Sequence, residues 1–116
     1  MSYAEEVARA RRLVILQALY FAPGYTLART LLRQRVEMTG YITGHDLLAA
    51  ELSWLHELGY VELLEREGGG AAAGYPSASP LRGELDAVRL TARGEDVALG
   101  RSHTPGVRRP SPGEMN

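Results

Sequence analysis

At 116 residues, 45% of them apolar, the chain suits one domain with a modest core and is too short for a large substrate cleft. Its 13 basic and 14 acidic residues nearly cancel, which argues against a nucleic-acid binder held by bulk charge alone. The lack of cysteine excludes a disulfide framework and a thiolate metal site.

All 13 basic residues are arginine, whose planar fork suits phosphates and carboxylates. The start, Met1-Ser2-Tyr3-Ala4-Glu5-Glu6, is acidic, unlike a secretory signal. The longest apolar run, residues 13–21, is interrupted by Gln17 and is too short to span a bilayer. A cytoplasmic protein that does not enter membranes is expected.

Residues 4–21 read as the first helix, with Val7, Ala10, Val14 and Ala18 on one face and Leu13, Leu16 and Tyr20 on the next. A helix apolar on more than one side is usually buried in a core or in a dimer contact, so residues 13–21 are the candidate homodimer surface. Pro23-Gly24 ends it. The spacing predicts a second helix over residues 26–40, with Leu27, Leu31, Gln34 and Met38 facing inward and Gly40 as its cap. A third is predicted over residues 43–58, with Leu48, Leu52 and Leu55 inward, Trp54 beside them, and Thr43 with Asp46 resembling a capping box.

The period then changes from about four to two. Residues 60–65 and 85–90 alternate as strands, joined by a long loop over residues 68–83 rich in Gly, Ala, Ser and Pro. Thr91 caps a short helix over residues 92–99, stopped by Gly100. The arrangement is mainly α with a small β-hairpin: a winged helix-turn-helix of three helices, a two-stranded wing and a short C-terminal helix. It occupies residues 1–100, and residues 101–116 form an extended or disordered tail containing Pro and Arg.

Two stretches carry a resemblance. Leu52-Ser53-Trp54-Leu55-His56-Glu57-Leu58-Gly59-Tyr60-Val61 resembles the end of the third helix in winged-helix regulators. Leu90-Thr91-Ala92-Arg93-Gly94 resembles the segment that follows the wing in MarR- and ArsR-like proteins. Across most of the chain, including Ala22-Pro23-Gly24-Tyr25-Thr26-Leu27, Asp96-Val97-Ala98 and Pro105-Gly106-Val107-Arg108-Arg109-Pro110, the sequence is similar to a family of small Mu-like phage proteins. The resemblance implies phage or prophage origin, work inside the host cell and a winged-helix fold, without fixing an activity.

Catalytic, metal and cofactor sites have little support. His45 and His56 are eleven residues apart on one predicted helix, too far for one metal, and Gly68-Gly69-Gly70 lacks the lysine of a phosphate loop. In a winged helix the third helix enters the major groove. Here Thr43, His45, Asp46, Ala49, Ala50 and Ser53 are expected outward, without the Arg, Asn or Gln that read bases best, and Asp46 and Glu51 repel phosphates unless paired. Arg29 and Arg33 on the second helix, with Arg35 nearby, and Arg66 and Arg82 beside the wing loop are placed for phosphates. The candidate DNA contacts are therefore Arg29, Arg33, Thr43, His45, Arg66 and Arg82. Two functions follow: a phage regulator of transcription that binds DNA, or a module docking protein partners in phage assembly or host takeover.

Overall fold

In the computed structural model, which describes residues 2–64 and 87–114, the first helix, α1 (Tyr3–Tyr20), starts at Ser2, whose hydroxyl accepts the Glu5 amide at 3.1 Å. That bond satisfies one of the amides a helix start leaves unpaired, and Glu5 and Glu6 complement the positive end of the helix dipole. The chain then makes a 3-10 turn (Pro23–Tyr25) in which Gly24 and Tyr25 take φ of 64° and 58°. Tyr25 holds this left-handed conformation with its ring packed on Tyr20, centroids 5.7 Å apart.

The structure departs from the sequence reading at the next step. Residues assigned to the second helix form a short strand, β1 (Thr26–Ala28), and α2 (Arg29–Met38) begins only after it. The later start changes which face of α2 is inside. Leu32 and Val36, one turn apart, are buried, while Leu31 and Met38, expected in the core, are exposed. Leu27 is buried as expected, but from the strand.

The third helix, α3 (His45–Glu57), buries Leu48, Leu52 and Leu55 as their spacing requires. It starts at Gly44 with no side-chain cap, so the capping box expected of Thr43 and Asp46 does not form. Its end is a Schellman turn. The Tyr60 amide returns to the Leu55 carbonyl at 3.0 Å and the Gly59 amide to His56 at 2.9 Å, with Gly59 at φ 82°.

Two further strands, β2 (Val61–Leu64) and β3 (Ala87–Leu90), pair antiparallel. Val61 opposes Leu90 and Leu63 opposes Val88, while on the other face Arg89 and Glu62 form an ion pair at 3.0 Å. β1 adds to the other side of β3, with Leu27 opposite Val88. In place of the expected two-stranded hairpin there is a three-stranded sheet in the order β1–β3–β2. The predicted long loop lies outside the described residues. The last helix, α4 (Ala92–Leu99), has the predicted bounds: Thr91 Oγ1 accepts the Gly94 amide at 3.0 Å, and Gly100 closes it at φ 82°.

The described fold is thus mixed α+β, four helices with a small antiparallel sheet. Among the described residues no helix is long and apolar enough to cross a membrane. Leu13, Ile15, Leu16 and Leu19 of α1 meet Leu48, Leu52 and Leu55 of α3, Val61, Val88 and Leu90 of the sheet, and Val97 and Ala98 of α4 in one core. Leu63 packs at its edge. Within the run over residues 13–21 that suggested a homodimer, Leu13, Ile15, Leu16 and Leu19 are buried within one copy, Val14, Gln17, Ala18 and Tyr20 are half-buried, and Phe21 is exposed. Leu52→Ala is expected to lower stability by about 2–5 kcal/mol. A urea midpoint equal to wild type would contradict this account of the core.

Residues 101–114, expected to be an extended or disordered tail, contain neither helix nor strand, yet they are anchored. Val107 is buried in the core, and the Arg108 amide donates to the Arg9 carbonyl at 3.1 Å.

Candidate functional site

Two of the six expected DNA contacts, Arg66 and Arg82, lie outside the described residues. Arg29 opens α2, partly buried, with no hydrogen bond to its buried Nε among the described residues. Arg33 follows one turn later, but its Nη1 is paired with Glu37 Oε1 at 3.2 Å. The other oxygen of that carboxylate accepts the Thr43 amide at 3.2 Å. Thr43 is a correction: expected outward, it is fully buried, because its hydroxyl turns back to donate to the Tyr41 carbonyl at 2.8 Å as the chain enters α3. His45, the first residue of α3, is exposed as expected.

The outer side of α3 exposes His45, Asp46, Leu47, Ala50 and Ser53, and the helix contains no Arg, Asn or Gln. Glu51 is not part of that surface. It is buried, accepting Arg11 Nε at 3.1 Å and Arg12 Nε at 3.0 Å. Arg12 also lies over the Trp54 ring, 4.3 Å from its centroid, and donates through Nη1 to the Gly106 carbonyl at 3.0 Å. These contacts brace α1, α3 and the C-terminal segment together.

Beside these polar groups, α2, α3 and the connection between them also expose large apolar side chains. Leu31 is 50% exposed, Met38 80%, Ile42 87% and Leu47 39%. Leu31, Arg35 and Met38 share one side of α2 by their spacing of four and three, and Ile42 and Leu47 continue the stretch through the connection into α3. Sequence reasoning placed Leu31 and Met38 in the core and passed over Ile42 and Leu47. The available signal was a surplus: α2 carries Leu32 and Val36 at core spacing as well, and one narrow helix face cannot bury both sets.

Chemistry-bearing groups are sparse. Among the described residues no cluster of His, Asp or Glu is arranged to hold a metal. His56 Nδ1 lies 3.1 Å from the Val61 carbonyl, and His103 is exposed in the tail. Desolvation, and then the Glu95 carboxylate, raise the Tyr25 phenol above its ordinary value. At Glu114 desolvation acts upward, but hydrogen bonds from Gln17, the Ser111 amide and Arg108 together hold the carboxyl below its ordinary value.

The structure thus defines a small mixed α+β protein in which, among the described residues, four of the six exposed large apolar side chains lie on α2, α3 and the connection between them, the other two being Tyr3 and Phe21. The chain is 31% identical over 102 residues to the uncharacterized protein gp26 of Escherichia phage Mu, with 88% of each chain covered. It belongs to the family of that phage protein. No family model matches the sequence, and no solved structure matches it.

Proposed function

We propose that this phage protein is a winged-helix scaffold that docks another protein through its α2–α3 face. The observation that carries the reading is the exposure of Leu31, Met38, Ile42 and Leu47 along one stretch of chain. Clustered large apolar side chains on a small protein's surface mark contact sites, whereas single ones need no explanation. Against DNA phosphates they would gain little.

The scaffold reading rests on the order α1–β1–α2–α3–β2–β3–α4 and the sheet order β1–β3–β2, which suit a winged helix. In DNA-binding members the third helix enters the groove. Here that helix offers Asp46, Leu47 and Ala50, so the same surface is better matched to protein. Arg29 and Arg35 form no ion pair among the described residues and flank the apolar side chains of α2. The partner's chemistry follows: an amphipathic segment with apolar anchors at helical spacing and carboxylates beside them.

A DNA-binding regulator is the second reading, favoured by the element order and by those same two arginines. Two measurements separate the readings. The first is binding to individually purified products of the same phage, with wild type and Met38→Asp. One partner is expected, its affinity falling at least tenfold in the variant while the melting temperature holds. The second is a salt titration with duplex DNA. Binding that weakens steeply with salt, loses about one unit of log–log slope in Arg29→Ala, and ignores Met38→Asp would replace docking with DNA binding.

A further inference from the structure

The C-terminal segment leaves α4, touches α3 midway at Gly106 and then runs along α1 as far as Gln17. Gly100 turns the chain out of α4, and the amides of Arg101 and Ser102 return to the Asp96 carbonyl at 2.9 and 3.2 Å. Thr104 and Val107 are buried, with the Val107 amide closing a turn on the Thr104 carbonyl at 3.3 Å. Farther on, Gln17 Nε2 donates to Glu114 Oε2 at 2.7 Å, and Arg108 pairs with Glu114 at 3.2 Å.

The segment meets α3 at Trp54. Gly106 has φ 95°, and a Cβ there would sit 2.7 Å from Trp54 Cη2 and 2.8 Å from Cζ2, so bare backbone rests on the indole. Arg12 joins the same group, stacked on Trp54, bonded to the Gly106 carbonyl and bonded to Glu51. Through this one arginine the tail is connected to two α3 side chains that are three residues apart.

The hold is nevertheless light. Among the described residues the tail adds one large apolar side chain, Val107, to the core and pairs with no strand. Its seam with α1 is incomplete: an open cleft of about 430 Å³ lies between Ala8, Arg9 and Arg12 on one side and His103 and Pro105 on the other. Segments with few buried contacts open at a fraction of the cost of global unfolding.

We propose that residues 101–114 are a releasable strap whose seating on Trp54 and Arg12 fixes the placement of α3 against α1. Unseating the strap uncovers the indole, takes the Gly106 acceptor from Arg12 and loosens the Arg12–Glu51 contact that braces α3. The inference does not depend on what the α2–α3 face binds.

Trp54 is the sole tryptophan, so its emission reports the seating directly. Gly106→Ala should red-shift that emission and raise its quenching by acrylamide about twofold while helical circular dichroism persists. Hydrogen exchange of amides over residues 52–58 should quicken at least tenfold, with α2 amides unchanged. An unshifted emission overturns the seating, and a shift with unchanged α3 exchange reduces the segment to a passive cover. Val107→Ser repeats the test without inserting a side chain against Trp54. Should both variants unfold, native-state exchange of the wild type decides. The Val107 and Arg108 amides should exchange at least a hundredfold faster than those of β3, and equal rates would mean the strap opens only with the whole fold.

Discussion

Gly94→Ala is expected to lower stability by about 3 kcal/mol, although alanine is the better helix former by about 1 kcal/mol. Gly94 is the third residue of α4, and a Cβ there would overlap the Tyr60 carbonyl oxygen and sit 2.7 Å from Leu90 Cδ1. Neither neighbour has room to retreat. The Tyr60 carbonyl accepts the Thr91 amide at 3.1 Å, and Thr91 Oγ1 donates to the Gly59 carbonyl at 2.7 Å while accepting the Gly94 amide. Leu90 is buried and paired with Val61. The substitution therefore pushes α4 off the end of β2, and the gain in propensity offsets only part of that cost. Gly44→Ala is the control: nothing lies within 4 Å of its Cβ position, so it should lose only what alanine costs at a helix N-cap, about 1 kcal/mol or less. Urea denaturation measures both. A wild-type midpoint for Gly94→Ala would mean that α4 and β2 approach less closely than described.

The same contact explains two motifs that the sequence displays separately. The glycine after α3 makes the turn that aims Tyr60 and Val61 into β2. The Leu-Thr-x-x-Gly segment fastens α4 onto that turn through Thr91 and Gly94. Both were legible because glycine and threonine leave local signatures at helix ends. β1 was not, since three residues cannot display a period of two and its partner β3 lies about 60 residues away, so no local pattern announces it. The inner face of α2 was misread for a related reason. Leu27, Leu31 and Met38 form one stripe and Leu32 and Val36 another, and the choice depends on where the strand ends and the helix begins. The candidate site was hidden by that error, because exposed Leu31 and Met38 look like core residues in a linear sequence. What could be read was the lack of Arg, Asn and Gln on α3. The arginine brace left no trace at all, since Arg11 and Glu51 are 40 positions apart and each alone looks like a solvated surface charge.

Removing that brace is the second large effect expected. Glu51→Ala should cost about 3 kcal/mol, the low end for breaking a buried ionic contact by deleting one partner. The low end applies because Arg11 and Arg12 keep side-chain exposures of 11% and 21%, so water relieves part of the uncompensated charge. Most of the loss comes from leaving two guanidinium groups in a partly dry site, not from forfeited attraction. Glu51→Gln should therefore fall between wild type and Ala, as it retains an acceptor for one arginine but cannot balance two charges. Arg12→Ala should be worse than Arg11→Ala, because only Arg12 also bonds the Gly106 carbonyl and stacks on Trp54. A double-mutant cycle on Arg12 and Glu51 isolates their coupling, expected at about 1–2 kcal/mol for groups in one network. Chemical denaturation of the four single variants and the double variant supplies every term. Glu51→Ala within about 0.5 kcal/mol of wild type would show that the carboxylate does not brace α3, and the rank order of the two arginines would then lose its basis.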